Sequence, residues 1–107
     1  MKVVPIPQAR PPSPASRIDT EMYRVLEQVA RRMNPGATVM PGMSTGASDQ
    51  AQLRARGIQS YGIGPASTEE DALNYPAHGD VERLAESSLY PFVEFVWNVV
   101  NEIASHK

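Results

Sequence analysis

The sequence predicts an α/β fold with parallel strands and packing helices. A short apolar run at 37–40, a helix-like segment at 49–56 and a second apolar run at 58–63 follow one another with short links. This strand–helix–strand order favours parallel pairing through a right-handed crossover. Two longer amphipathic segments, one before and one after this unit, are available to pack against the resulting sheet.

Composition restricts the classes of protein that fit. The chain has 107 residues, of which 41% are hydrophobic, enough for one packed domain. A net charge of -2 without a basic cluster argues against nucleic acid or an anionic membrane as the main partner. The absence of cysteine excludes disulfides and thiolate metal sites. Without an apolar run of bilayer length or a signal-peptide core, a cytoplasmic location is favoured, although a leader on a longer parent chain stays open.

Residues 1–16 are rich in proline and read as an extended linker. They hold five of the ten prolines in the chain. The apolar segment 3–6 can form only an edge strand, because its neighbouring prolines lack the N–H that a central strand needs.

The most regular helical pattern begins near Ile18 or Asp19. Either Asp19 or Thr20 can cap this helix, and the tripeptide at 34–36, Asn-Pro-Gly, stops it. Apolar residues recur at helical spacing and form a single stripe that consists of Met22, Val25, Leu26, Val29 and Met33.

The loop of small residues at 44–47 lies between the first predicted strand and the helix at 49–56. Ser48 suits the N-cap of that helix, and Gly57 suits its end. In a parallel sheet this loop falls at the carboxyl end of a strand, where α/β proteins bind their ligands. Gly46 and the helix N-terminus after it can bind an anion, or the glycine can simply permit a tight turn.

The last third of the chain combines a polar segment with an apolar helix. Residues 67–86 are longer than an ordinary connection, which is typical of functional or disordered loops. A helix is predicted from Ser88 to Ala104, with Pro91 in its first turn. It has a polar stripe and a broad apolar face that should pack on a sheet or on another chain, formed by Phe92, Phe95, Val96, Trp97, Val99, Val100 and Ile103.

His78 is one of two histidines and lies in the polar segment. A single loop histidine is more often an ordinary surface residue, since metal sites take three or four protein ligands. Ser48 is not in a GxSxG motif, and helix capping explains it better than nucleophilic catalysis.

Three blocks, taken in order, resemble one family. They are "MSTGASDQAQLRARGI", "SYGIGP" and "AHGDVERLAESSLYPFVEFVWNVV". They are similar to the C-terminal part of the dizinc peptidases and deacylases, which include aminoacylase, acetylornithine deacetylase, succinyl-diaminopimelate desuccinylase and the glutamate carboxypeptidases. The resemblance covers roughly residues 17 to 104. It implies part of a three-layer α/β catalytic domain at 17–107, with residues 1–16 returning from a smaller lid domain.

The resemblance also implies roles for particular residues. His78, in the "H-G-x-x-E-R" block, corresponds to a ligand of one of two zinc ions. Gly46 and Ala47 correspond to backbone contacts with the carboxylate of a small peptide or N-acyl amino acid, and Asn74 to a further substrate contact. The resemblance further implies structural support from two acidic residues: Asp49 would brace the glycine loop, and Glu82 would orient the segment after the ligand.

The implied chemistry is zinc-dependent hydrolysis of a peptide or N-acyl amide bond. One histidine cannot hold two zinc ions, and the remaining ligands and the general base of the family are missing from these 107 residues. We therefore expect a fragment that is inactive alone and binds zinc weakly at most. Two alternatives remain: a non-catalytic module that self-associates through an exposed sheet edge and the C-terminal helix, or a small hydrolase that uses Ser48 or a metal shared between chains.

Overall fold

The computed structural model describes residues 2, 4, 13–44 and 46–105. Over this part of the chain the fold consists of helices joined by irregular segments and turns. In chain order the helices are α1 (Glu21–Met33), α2 (Gln50–Ala55), α3 (Glu69–Asn74) and α4 (Glu86–Ser105).

The prediction of an α/β fold is wrong. Segments 37–40 and 58–63 have no regular secondary structure, and no strand occurs among the residues described, so there is no parallel sheet, crossover or three-layer arrangement there. Each run has strand-like side chains without a neighbouring strand, and a lone pair of short strands is marginal in water. Met40 is accordingly 78% exposed. The edge strand predicted at 3–6 falls outside the described residues except for Val4.

Helix α1 confirms the most regular part of the sequence prediction. Thr20, the second of the two proposed caps, accepts a hydrogen bond at Oγ1 from the Tyr23 N–H at 3.1 Å. The helix ends at Met33, and Gly36 continues the chain with a φ of +86°, a backbone conformation that suits glycine. The residues of the predicted apolar stripe all lie in or against the core.

The core is small and lies between α1 and α4. Four apolar side chains are buried, and Val29 is fully enclosed at 0% exposure; the four are Val25, Leu26, Val29 and Val99. Half-buried side chains surround them, namely Met22, Met33, Tyr61, Phe95 and Ile103. An ion pair between Arg32 and Glu102 at 3.1 Å joins the two helices at the edge of this core.

Helix α4 differs from its prediction in two ways. It begins at Glu86, so Pro91 is its sixth residue and lies inside the helix, beyond the first turn. The predicted polar stripe also does not face solvent as a unit. Asn98 lies against α1, where its Nδ2 is 3.9 Å from Met33 Sδ, and apolar side chains on the opposite side are exposed instead. None of the helices described is long and apolar enough to cross a membrane.

Hydrogen bonds hold the segment 58–63 against the residues that precede α1. Ser16 Oγ donates to the Ser60 carbonyl oxygen at 2.8 Å, and the Tyr61 hydroxyl donates to the Arg17 carbonyl oxygen at 2.6 Å. The same hydroxyl contacts the Thr20 side chain. Polar contacts with the start of α1 therefore fix this segment, in place of the sheet partner that the sequence led us to expect.

Candidate functional site

The glycine loop and α2 form the wall of a shallow cleft of about 440 Å³. Of the residues that the sequence assigns to substrate binding, Gly46 and Ala47 line this cleft, together with the supporting residue Asp49. The remaining lining residues are Ser13, Ser48, Ala51, Gln52, Arg54 and Ala55. The lining residues from Gly46 to Asp49 are all exposed, so the cleft is an open depression of the surface and not an enclosed pocket.

Helix α2 has a different start from the predicted one. Asp49 occupies the N-cap position without a side-chain capping bond, so the assignment of Ser48 as the cap is wrong. The predicted end is confirmed, because Gly57 has a φ of +80°. Its N–H donates to the Arg54 carbonyl at 2.9 Å, and the Ile58 N–H donates to the Leu53 carbonyl at 3.1 Å, the paired bonds of a Schellman motif.

Two donors of the cleft already have partners on their own chain. The Gly46 N–H, a backbone donor that the resemblance directs at a substrate carboxylate, donates to Ser44 Oγ at 3.2 Å. Arg54, which the sequence did not single out, lines the cleft while its Nε donates to the Pro14 carbonyl at 2.9 Å. The only available signal for Arg54 was its spacing of four residues from Gln50, which is also half-buried on α2.

The polar segment at 67–86, which the sequence predicts to be a loop, contains the short helix α3. Thr68 caps α3: its Oγ1 accepts a hydrogen bond from the Asp71 N–H at 3.0 Å and donates to the Asp71 carboxylate at 2.9 Å. A threonine followed three residues later by an acidic residue is a signature of a helix start. The missed signal was therefore present in the sequence.

His78 lies in a compact turn after α3. Its φ is +66°, in the left-handed region, which histidine enters more readily than most residues. The His78 N–H donates to Glu82 Oε2 at 2.9 Å, and the Glu82 N–H donates back to the Gly79 carbonyl at 3.1 Å. The Gly79 N–H in turn donates to the Pro76 carbonyl at 3.0 Å. Glu82 thus contacts the backbone of His78 directly and fixes the turn that carries the exposed imidazole.

Arg83 connects this turn to α3. Its Nη2 and Nε donate to Asp71 Oδ1 at 2.8 and 3.1 Å, and its guanidinium carbon lies 3.4 Å from the centroid of the Tyr75 ring. The hydrogen bond from Arg83, followed by that from Thr68, lowers the pKa of the Asp71 carboxyl below its ordinary value. This cluster anchors both ends of the segment from α3 to the His78 turn.

The predicted site residues fall into two groups. Gly46, Ala47 and Asp49 line the cleft beside α2, whereas His78, Glu82 and Asn74 do not line it. Asn74 is exposed at the last residue of α3.

The donors around His78 do not make a metal site by themselves. No group of three or more His, Asp or Glu side chains converges among the described residues. Near His78, the Glu82 carboxylate is engaged by the backbone and the Asp71 carboxylate by Arg83. Zinc requires three or four protein ligands. The described residues of this chain therefore do not form a zinc site without ligands from elsewhere.

Comparison with known proteins gives no assignment. No protein-family model matches the chain, and no curated protein or solved structure matches it either.

Proposed function

We propose that this chain supplies part of the active site of a zinc-dependent amidohydrolase that cleaves peptide or N-acyl amide bonds. His78 serves as one zinc ligand, and the Gly46–Ala47 loop forms part of the substrate wall. The remaining ligands and the general base belong to polypeptide other than these 107 residues. The chain alone is therefore inactive in hydrolysis.

The turn at His78 is the observation that carries the proposal. An exposed imidazole stands on a backbone that Glu82 and Gly79 hold by hydrogen bonds. A ligand that is fixed before the metal binds loses less conformational entropy than one on a mobile loop. The cleft at Gly46, which His78 does not line, supplies a separate concave surface for the substrate wall.

A zinc titration followed by amide NMR tests the ligand role. Adding zinc to the isotope-labelled chain should shift the resonances of His78, Gly79 and Glu82 in the fast-exchange regime of weak binding. His78→Gly should abolish these shifts while the turn persists, because glycine accepts the left-handed backbone without strain. His106→Ala, which removes the other histidine, is the matched control and should leave them unchanged. Shifts that persist in His78→Gly would refute the ligand role.

The expected inactivity has its own assay. The purified chain, supplied with zinc, should show no metal-dependent turnover of N-acetyl amino acids or dipeptides, since a lone imidazole leaves the ion without the ligand set and base that the reaction requires. Robust turnover that Ser48→Ala or His78→Gly abolishes would instead favour a small hydrolase with independent chemistry.

A further inference from the structure

Helix α4 has a second apolar face on the side away from the core. We call it the outer face; its members share exposure to solvent and helical spacing, and they are Leu89, Tyr90, Val93, Trp97, Val100 and Ala104. Trp97 is 67% exposed and Val93 is 58% exposed. The spacing of these residues places them on one arc of the helix, where no charged side chain interrupts them after Glu86.

The area of the outer face is comparable with one side of a specific interface. From the exposed fractions of its side chains, the outer face presents on the order of 600 Å², and a specific interface takes roughly 600 to 1,000 Å² from each partner. The outer face is therefore close to the size that a small, stable dimer requires.

We propose that the outer face of α4 is a dimer interface, and that its occupant is the α4 of a second copy of this chain in antiparallel orientation. Helix α4 carries three glutamates and no lysine or arginine. A parallel pair would bring the two Glu86 side chains and the two helix N-termini together. Antiparallel pairing places them at opposite ends of a helix about 30 Å long and aligns the helix dipoles favourably.

The midpoint of the outer face fixes the register. The face runs from Leu89 to Ala104. If each copy is to cover the whole outer face of the other, the twofold axis must pass between residues 96 and 97. Trp97 then lies beside the axis, Val93 opposes Val100 of the second copy, and the large Leu89 opposes the small Ala104. A twofold arrangement of this kind closes on itself and yields a dimer without further polymerisation.

Single cysteines test the orientation, because the native sequence contains none. Trp97→Cys should form an interchain disulfide under mild oxidation, because the two copies of residue 97 are offset by only about 1.5 Å along the direction of the helices. Leu89→Cys should not, because its counterpart lies about 22 Å away. The double variant Leu89→Cys/Ala104→Cys should cross-link again. Efficient cross-linking of Leu89→Cys alone would overturn the antiparallel register.

Sedimentation equilibrium tests the interface itself. The wild-type chain should populate a dimer, and the emission of Trp97, the single tryptophan, should shift to shorter wavelength as concentration rises. Val93→Glu should weaken the dimer at least about tenfold, because it buries an unpaired charge. Ser87→Glu adds the same charge outside the outer face and should leave the dimer intact, and circular dichroism of both variants checks folding.

Three results would overturn the inference. They are a wild-type chain that stays monomeric at about 1 mM, equal dimerisation of Val93→Glu and wild type, or open-ended polymers. If Val93→Glu fails to fold, the cysteine pattern decides by itself. The dimer is independent of the zinc proposal, since the outer face contains none of the residues of the cleft or the His78 turn.

Discussion

Replacement of Val29 by alanine tests the α1–α4 core most directly. Val29 is the one fully enclosed side chain among the residues described. Removing two methylene equivalents costs about 1.6 kcal/mol of transfer free energy. A cavity of roughly 50 Å³ adds about 1 kcal/mol if the site does not relax. Alanine recovers about 0.5 kcal/mol through its higher helix propensity. The expected loss in the free energy of unfolding is about 2 kcal/mol.

Urea unfolding followed by circular dichroism at 222 nm measures this loss. The urea concentration at the midpoint of unfolding should fall by roughly 1.5 M, given how steeply the free energy of unfolding of a chain of this length depends on urea. Val81→Ala is the matched control: Val81 is 59% exposed, so the same chemical change should alter the free energy by less than about 0.5 kcal/mol. If Val29→Ala is no more destabilising than Val81→Ala, the core does not lie where we place it.

The remaining predictions concern caps and charges. Thr20→Ala should lower the free energy of unfolding by about 1 kcal/mol, because the α1 N-cap is lost. Thr38 is exposed, so Thr38→Ala is the control and should leave the free energy of unfolding, measured by urea unfolding, unchanged. Gly57→Ala should cost about 1 kcal/mol, because alanine is strained at a φ of +80°, and Gly64→Ala, which has open space, is its control. The pKa of the Asp71 carboxyl, followed by carbon NMR, should lie below its ordinary value because Arg83 and Thr68 donate hydrogen bonds to it. Because its folded pKa is lowered, its contribution to stability is present above the unfolded pKa and is lost as the pH falls through the folded pKa. The protection of the α3 amides, taken relative to their intrinsic exchange rates at each pH, should therefore fall only in acid, and Asp71→Asn should remove that pH dependence.

Helix α1 was predictable because local signals agreed. The cap at Thr20, the apolar stripe and the stop at 34–36 all point to the same element, and the structure has it over Glu21–Met33. The Gly57 terminator is equally local, since only its own backbone decides it. The missed helix α3 had a similar signal in Thr68 and Asp71, obscured by the polar composition around it.

The predicted sheet depended on information that short segments do not contain. Apolar runs at 37–40 and 58–63 have strand-like composition, but a strand exists only when another strand satisfies its backbone. The structure instead uses Ser16 and Arg17 to bind the second run through Ser60 and Tyr61. Those contacts join residues more than 40 positions apart, which no local pattern reports.

The candidate site shows the same division. The sequence placed Gly46 and His78 in turns, and both lie in turns or bends. That Gly46 lines a cleft with Arg54, and that His78 does not line it, depends on how α2 and the segment after α3 sit relative to the rest of the chain. The hydrogen bond between Glu82 and the His78 N–H spans only four residues. The family resemblance gave Glu82 a different role, that of orienting the segment after His78, and that role stays a prediction.

The sequence by itself determined that α1, α2 and α4 become helical and where α1 and α2 end, because caps, glycines and apolar spacing act within a few residues. Only the tertiary structure decided what those elements pack against. The sequence assigned the apolar surface of α4 to a sheet or to another chain, yet Phe95, Val99 and Ile103 meet α1 while Val93 and Trp97 face outward. Burial is a property of the neighbours that a side chain meets in space, and hydrophobicity alone does not choose them.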